Sequence, residues 1–510
     1  MRTTAGLTLL AFTLLATLAA GPVAFASGSV DSQALRDAVT VKGIREHQQA
    51  LQAIADANGG TRFSSSPGYD ASVGYVTERL RAAGYRVVEQ PFEFPFFQQT
   101  APPRLELKAP TSKTYEVETD FFTAAQSGSG DVTAPVEAID LVLPPSATPS
   151  STSGCEAADF AGFTAGGVAL IQRGTCTLAQ KAANAVEAGA AAVVLFNEGQ
   201  PDRTDAFSGT LGEPGIAIPV VITSFAVGQE LATTAGAVVR VFTSTLSETR
   251  GTVNVLADTP GGREDRTVVV GAHLDSVPEG PGLNDNGSGT AVILEIAEQI
   301  DALGIEPANR IRFAFWGAEE FGLVGSGFYV SQLSEREIAG TAVNLNFDML
   351  GSPNHVRFVY DGDGSDTPDA GPDGSQRVEQ ALVDYFAEQG LATEPTAFDG
   401  RSDYGPFIEV GIPAGGLFSG AEGIKTDEQA AVYGGASGAA YDPCYHQACD
   451  TADNVSLHAL DELGDAAAHA VLTFAQTTPP STAPTVRRTR PRPYAAVADR
   501  GRSVGQCEAG

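Results

Sequence analysis

Near the start of the chain, apolar residues recur at helical spacing: Val41, Ile44, Leu51 and Ile54, followed by Asn58-Gly59-Gly60. That periodicity predicts one helix from about Asp31 to Asn58, ended by the glycines. Pro67-Gly68 opens a second helix, with Val73, Val76, Leu80 and Ala83 on one face and Gly84 at its end. A strand is expected over 86–90. From about residue 120 to 245 the pattern shortens to brief apolar runs at 167–171 and 191–196, with a helix over 178–188 between them. After Asn254 buried-strand patterns alternate with helical ones: a strand at 268–270, a helix over 290–303, and strands at 310–316 and 342–347. Such alternation predicts an α/β fold, a mainly parallel mixed sheet flanked by helices. Sites in sheets of this kind sit at the carboxyl ends of strands.

A length of 510 residues predicts two or three domains. The formal net charge of −31 repels nucleic acid and anionic membranes, so neither is expected as a partner. Arg2, an apolar run over 5–20 and Ala24-Phe25-Ala26 form the parts of a signal peptide over 1–26. The expected location is therefore secreted and extracellular, where disulfides persist. Cys444 and Cys449, five positions apart, can close a small loop. Cys155 with Cys176 is the other plausible pair, and Cys507 is left over. Residues 477–510 are rich in Pro and Arg and read as a disordered extension. The stretch over 120–245 contains no histidine and no carboxylates at ligand spacing, so it reads as a separate module without chemistry of its own.

The polar residues gather at strand ends. The strand at 268–270 runs into His273 and Asp275, and the loop behind it contains Asn284-Asp285-Asn286. The strand at 310–316 leads to Glu319-Glu320, and that at 342–347 to Asp348. Far downstream, Tyr445-His446 lies between Cys444 and Cys449. Each fragment alone is weak: a strand-end histidine is commonly just hydrogen-bonded, and adjacent glutamates commonly mark a solvated face. Together they bring two imidazoles and several carboxylates to one sheet edge, a donor set that suits zinc. Without a cation, so many clustered acids would repel one another and their pKa values would rise; a bound metal removes that cost.

The motifs AHLDS, GPGLNDNGSGT, FWGAEEFGLVGS, NFDMLGS and YHQACDTADN, in that order, resemble the secreted co-catalytic two-zinc aminopeptidases of the aminopeptidase S and aminopeptidase Y type. Residues 120–245, with Arg173-Gly174-Thr175-Cys176 and Lys181, resemble the protease-associated domain that some members carry as an insertion. The resemblance implies a discontinuous peptidase domain over 31–115 and 250–476. It implies two zinc ions per chain, one bound by His273 and Asp348, the other by Glu320 and His446, with Asp285 bridging both. Asp275 would orient His273, Glu319 would act as general base on the zinc-held water, and Tyr445 would stabilise the oxyanion. Arg401, Gly400, Met349 and Phe418 would line the substrate pocket. Asp461 and Asp465, with help from Asp37, would bind calcium. The implied activity is removal of the amino-terminal residue of peptides or proteins, favouring large apolar residues such as Leu, by a monomer.

Two rival functions differ in what they require. A carboxypeptidase or aminoacylase-like hydrolase on the same scaffold needs cations for a terminal carboxylate, and Arg401 alone is a thin case. A receptor-like binding protein would have lost ligands, whereas all five and the base are present.

Overall fold

The computed structural model describes residues 30–477. The expected signal peptide, the Pro/Arg-rich extension beyond Thr477 and Cys507 lie outside the described residues.

The helix expected over 31–58 is two helices, Gln33–Ala38 and Val41–Ala57. Val39 is extended, and the Thr40 hydroxyl caps the second helix by accepting from the Gly43 N–H at 3.1 Å. A hydroxyl that caps a new helix competes with continuation of the old one. The next helix, Pro67–Ala82, starts with Ser66 as cap and proline in its first turn. The strand expected over 86–90 instead runs the length of Arg86–Ala109. Its partner is the equally long strand Val238–Asp258, antiparallel from Arg86↔Asp258 to Ala109↔Val238.

This two-stranded ribbon joins the two halves of the molecule. At one end, residues 255–258 pair antiparallel with Asn309–Trp316. There the sheet order continues through Arg263–His273, Thr341–Phe347, Ala414–Phe418, Phe358–Tyr360 and Glu394–Thr396. The four strands at its centre are parallel, with Trp316 level with His273 and Asn346 level with Gly271. At the other end, residues 238–243 pair with Gly130–Ile139, which leads into the parallel strands Val168–Gln172, Ala192–Phe196 and Val220–Thr223.

In the larger half the helices Gly287–Ala302, Gln376–Glu388 and Leu457–Gln476 pack on the parallel strands, and Val41–Ala57 packs on Gly287–Ala302, all around one core. Val268 and Val270 are fully buried on that side, while Val269 and Trp316 face a second cluster with Tyr329 and Phe407. Burial on both faces explains why Val268-Val269-Val270 reads as an unbroken apolar run. The smaller half has two clusters of its own on the two faces of its sheet. Its Cys155–Cys176 disulfide ties the segment before Val168–Gln172 to the loop after it. No helix among the described residues is long and apolar enough to cross a membrane.

Candidate active site

The three parallel strands Arg263–His273, Asn309–Trp316 and Thr341–Phe347 end side by side, and their carboxyl ends deliver His273, Glu319, Glu320 and Asp348 to one place. Asp285 comes from the loop before helix Gly287–Ala302, and His446 from the loop closed by the Cys444–Cys449 disulfide. Asp285 stands between the two histidines. Its Oδ1 lies 3.2 Å from His273 Nε2 and its Oδ2 lies 3.1 Å from His446 Nε2. On the first side Asp348 Oδ1 approaches His273 Nε2 at 3.3 Å; on the second Glu320 Oε2 approaches His446 Nε2 at 3.0 Å. The result is two sets of one imidazole and one carboxylate, sharing a carboxylate.

The electrostatics of these groups fit a divalent cation. Burial opposes charge on His273, yet Glu319 and Asp348 raise its pKa well above the ordinary value. Burial likewise opposes charge on His446, but Glu320 and Asp285 push it up to about 11. Burial drives Glu319 well above the carboxylate range; His273 opposes this, while Glu320, Asp403 and Asp348 add to it. Asp348 Oδ1 and Glu320 Oε1 are buried without hydrogen-bond partners. Buried carboxylate oxygens left bare are costly. Cations between the facing ligand atoms would satisfy them and relieve the mutual repulsion, so the donor set fits zinc.

Several neighbours fix the geometry. The Asp275 backbone carbonyl lies 3.2 Å from His273 Nδ1 and its carboxylate Oδ1 3.7 Å, and the same Oδ1 accepts the Glu319 N–H at 3.3 Å. Asp450 accepts the N–H groups of both Asn284 and Asp285, at 2.8 and 3.0 Å. Ser402 donates to Asp348 Oδ2 at 2.6 Å and itself accepts from Asn346. The Asn286 side chain bridges the Phe347 carbonyl and the N–H groups of Gly289 and Met349. Gly289 is required there, because a Cβ would sit 2.2 Å from the Phe347 carbonyl oxygen. Arg62, fully buried, donates to the carbonyls of Leu274, Pro281 and Gly282 and so shapes the loop ahead of Asp285. Ala318, Met349 and His446, each next to or among the candidate ligands, have left-handed backbones with φ of 53°, 53° and 57°. Such non-glycine residues are held by their surroundings at a cost of about 1–3 kcal/mol each.

A cleft opens on this centre. Asp285, Glu319, Glu320, Asp348 and His446 form its floor, and Met349, Tyr360, Phe418, Ala421, Arg401 and Tyr445 line the rest. Met349, Phe418 and Arg401, which the resemblance implies as pocket residues, thus line this cavity. Gly400 is not among the lining residues; it forms the left-handed turn before Arg401, with its N–H donated to Tyr404. Tyr445 stacks on His446 with ring centres 3.8 Å apart, and its hydroxyl lies 3.4 Å from Arg401 Nη2. Asp37, Asp461 and Asp465 lie away from the cavity. Burial, opposed by Arg36 and aided by Asp461 and Asp37, lifts Asp465 to about 6, and Arg36 reaches within 3.9 Å of it. Ser402, Asp450, Asn286 and Arg62 carry no role in the sequence reading. The first three stand inside or beside the recognisable motifs and could have been found there. Arg62 has no local signal.

The model of "Peptidase family M28" matches residues 254–471, and that of the "PA domain" matches residues 134–231. An "Aminopeptidase" of Pseudomonas aeruginosa is 48% identical over 423 residues, covering 82% of this chain and 78% of that one. A "Leucine aminopeptidase 2" of Arthroderma otae is 37% identical over 436 residues, covering 84% and 83%. Among solved structures, "BSAP, a zinc aminopeptidase from Bacillus subtilis" superposes with a TM-score of 0.55 at 25% identity, covering 86% of this chain and 96% of that one.

Proposed function

This chain belongs to peptidase family M28 and is a metallo-aminopeptidase, and from that premise we propose that it removes amino-terminal residues with two zinc ions bound by His273, Asp285, Glu320, Asp348 and His446. The observation that carries the reading is the placement of the two Asp285 oxygens, each 3.1–3.2 Å from a different histidine. His273 and Asp348 would hold one ion, His446 and Glu320 the other, with Asp285 shared. Zinc supplies Lewis acidity that polarises the scissile carbonyl and lowers the pKa of water towards neutrality.

The protein groups would do the rest. Glu319 takes the proton of the attacking water and returns it to the leaving amine. Asp275 keeps the His273 ring and the Glu319 backbone in register. Tyr445, steadied by Arg401, donates a hydrogen bond to the oxyanion. The carboxylates on the cavity floor attract a free α-amine, which favours exopeptidase action. Met349, Phe418 and Tyr360 supply apolar walls for a large side chain such as Leu, in keeping with the relative named as a leucine aminopeptidase. Among the residues lining the cavity, Arg401 is the only lysine or arginine, and it pairs with Glu422 at 2.9 Å. A terminal carboxylate therefore finds little to bind, which disfavours carboxypeptidase action.

We also place the peptidase domain over 31–115 and 250–476, with the protease-associated domain over 120–245; the 245–250 boundary falls within the long ribbon that joins the two halves. Secretion is supported by two disulfides. Calcium at Asp37, Asp461 and Asp465 is supported by their mutual repulsion alone, and Arg36 already serves Asp465. A shift in Tm on adding calcium tests that site, and no shift removes it. The central assay compares aminoacyl-anilides with amino-blocked peptides, with and without a chelator. Cleavage of blocked peptides, or full activity after metal removal, defeats the aminopeptidase reading.

Two smaller predictions arise here. Tyr445→Phe should lower kcat by about 10²-fold with little change in KM, the usual effect of losing one oxyanion donor; an unchanged kcat would leave Tyr445 as packing. Replacing Cys444 and Cys449 by serine frees the loop that presents His446. Apparent zinc affinity should then fall by about 10–100-fold, as for other supports of metal ligands, and excess zinc should restore activity. Unaltered zinc titration would mean that the bridge does not position His446.

A further inference from the structure

Of six histidines, the candidate active site uses two. A separate cluster lies where the first turns of helix Leu457–Gln476 meet the loop before strand Phe358–Tyr360. There His355, His458 and Glu462 each place a ligand atom within 4.8 Å of the others. His355 is 7% exposed, and its Nε2 is buried without a hydrogen-bond partner. A buried imidazole nitrogen left bare is costly, and a bound ion would satisfy it. His458 and Glu462, four residues apart, share a helix face, with Nε2 and Oε1 3.5 Å apart. Arg357 takes the other carboxylate oxygen of Glu462 at 2.7 Å, which leaves Oε1 to the histidines. The His355 and His458 rings stand 5.7 Å apart, and the His458 side chain is 69% exposed, so an ion can enter from solvent.

We propose that His355, His458 and Glu462 form a further metal site, for zinc or a similar transition-metal ion, that clasps the start of this helix to the loop around His355. Two imidazoles and one carboxylate select such ions over calcium or magnesium, which prefer oxygen alone. Burial, with Lys425, His458 and Arg357 nearby, lowers His355 to about 4, so its ring is neutral with a lone pair to give. The positive charge of Arg357 and Lys425 weakens the site relative to an acidic one but leaves neutral imidazole ligands unaffected.

The test uses the full chain with its resident metals intact, in chelator-free buffer, dialysed to equilibrium against Zn²⁺. Wild-type protein should bind one equivalent more than His458→Ala, a substitution at an exposed position. Added zinc should raise the wild-type Tm and leave that of the variant unmoved, while peptide turnover stays the same in both. Equal zinc equivalents in the two proteins would overturn the proposal and leave an ion pair between His458 and Glu462.

Discussion

Replacing Glu319 by alanine is expected to leave the metal content of the enzyme intact and to lower kcat by about 10²–10⁴-fold, the usual contribution of a general base. Three observations support the split between binding and turnover. Glu319 lines the cavity and is almost wholly buried, so it meets substrate out of bulk water. Its carboxylate stops 3.9 Å from His273 Nε2, whereas Asp285 and Asp348 come within 3.2 and 3.3 Å and Glu320 within 3.0 Å of His446. Its backbone N–H is tied to Asp275, so the carboxylate is aimed by the same residue that faces the His273 ring. A different role is geometrically open, because Glu319 also groups with His273 and Asp348 within 4.8 Å. If Glu319 were a ligand, metal would leave along with activity. Metal analysis beside the kcat measurement separates the two, and a variant that remains active removes Glu319 from both roles.

On the proposed two-zinc reading, Asp285→Asn should lower activity as far as a chelator lowers that of the wild type, with bound zinc falling from two equivalents per chain towards none. In the proposed arrangement the residue is shared between the ions, so one substitution would weaken both at once. Asparagine keeps the shape but provides only one oxygen donor, and it removes the negative charge that two cations need between them. Folding should survive, since the loop hangs on backbone N–H groups donated to Asp450 and on the Asn284 and Asn286 side chains, not on the Asp285 carboxylate. Near-normal fold by circular dichroism with metal lost is the expected pair of results. If one ion stays firmly bound, Asp285 serves a single ion and the shared arrangement is wrong.

Much of this molecule is legible along the chain because its signals are local. Val268-Val269-Val270 is apolar on both faces, so it reads as a buried parallel strand, and His273 at its end is placed by the same few residues. The motifs at 319–320, 348 and 445–446 likewise sit next to the strands and loops that aim them. The order of these elements, their types and the candidate ligands follow from periods of 2 and 3.6 residues and from donor chemistry. Other features depend on partners far away. The strand starting at Arg86 reaches Ala109 because Val238–Asp258, arriving some 130 to 170 positions later, pairs along its length with a few bulges. Thr40 breaks a helix that its apolar spacing would have continued. Arg62 meets the carbonyls it serves more than 200 positions on, and His355 meets His458 and Glu462 across about 100. Local periodicity carries no information about such meetings. They are decided when packing of the sheet and helices brings distant polar groups into one buried place, where each must find a partner or a cation.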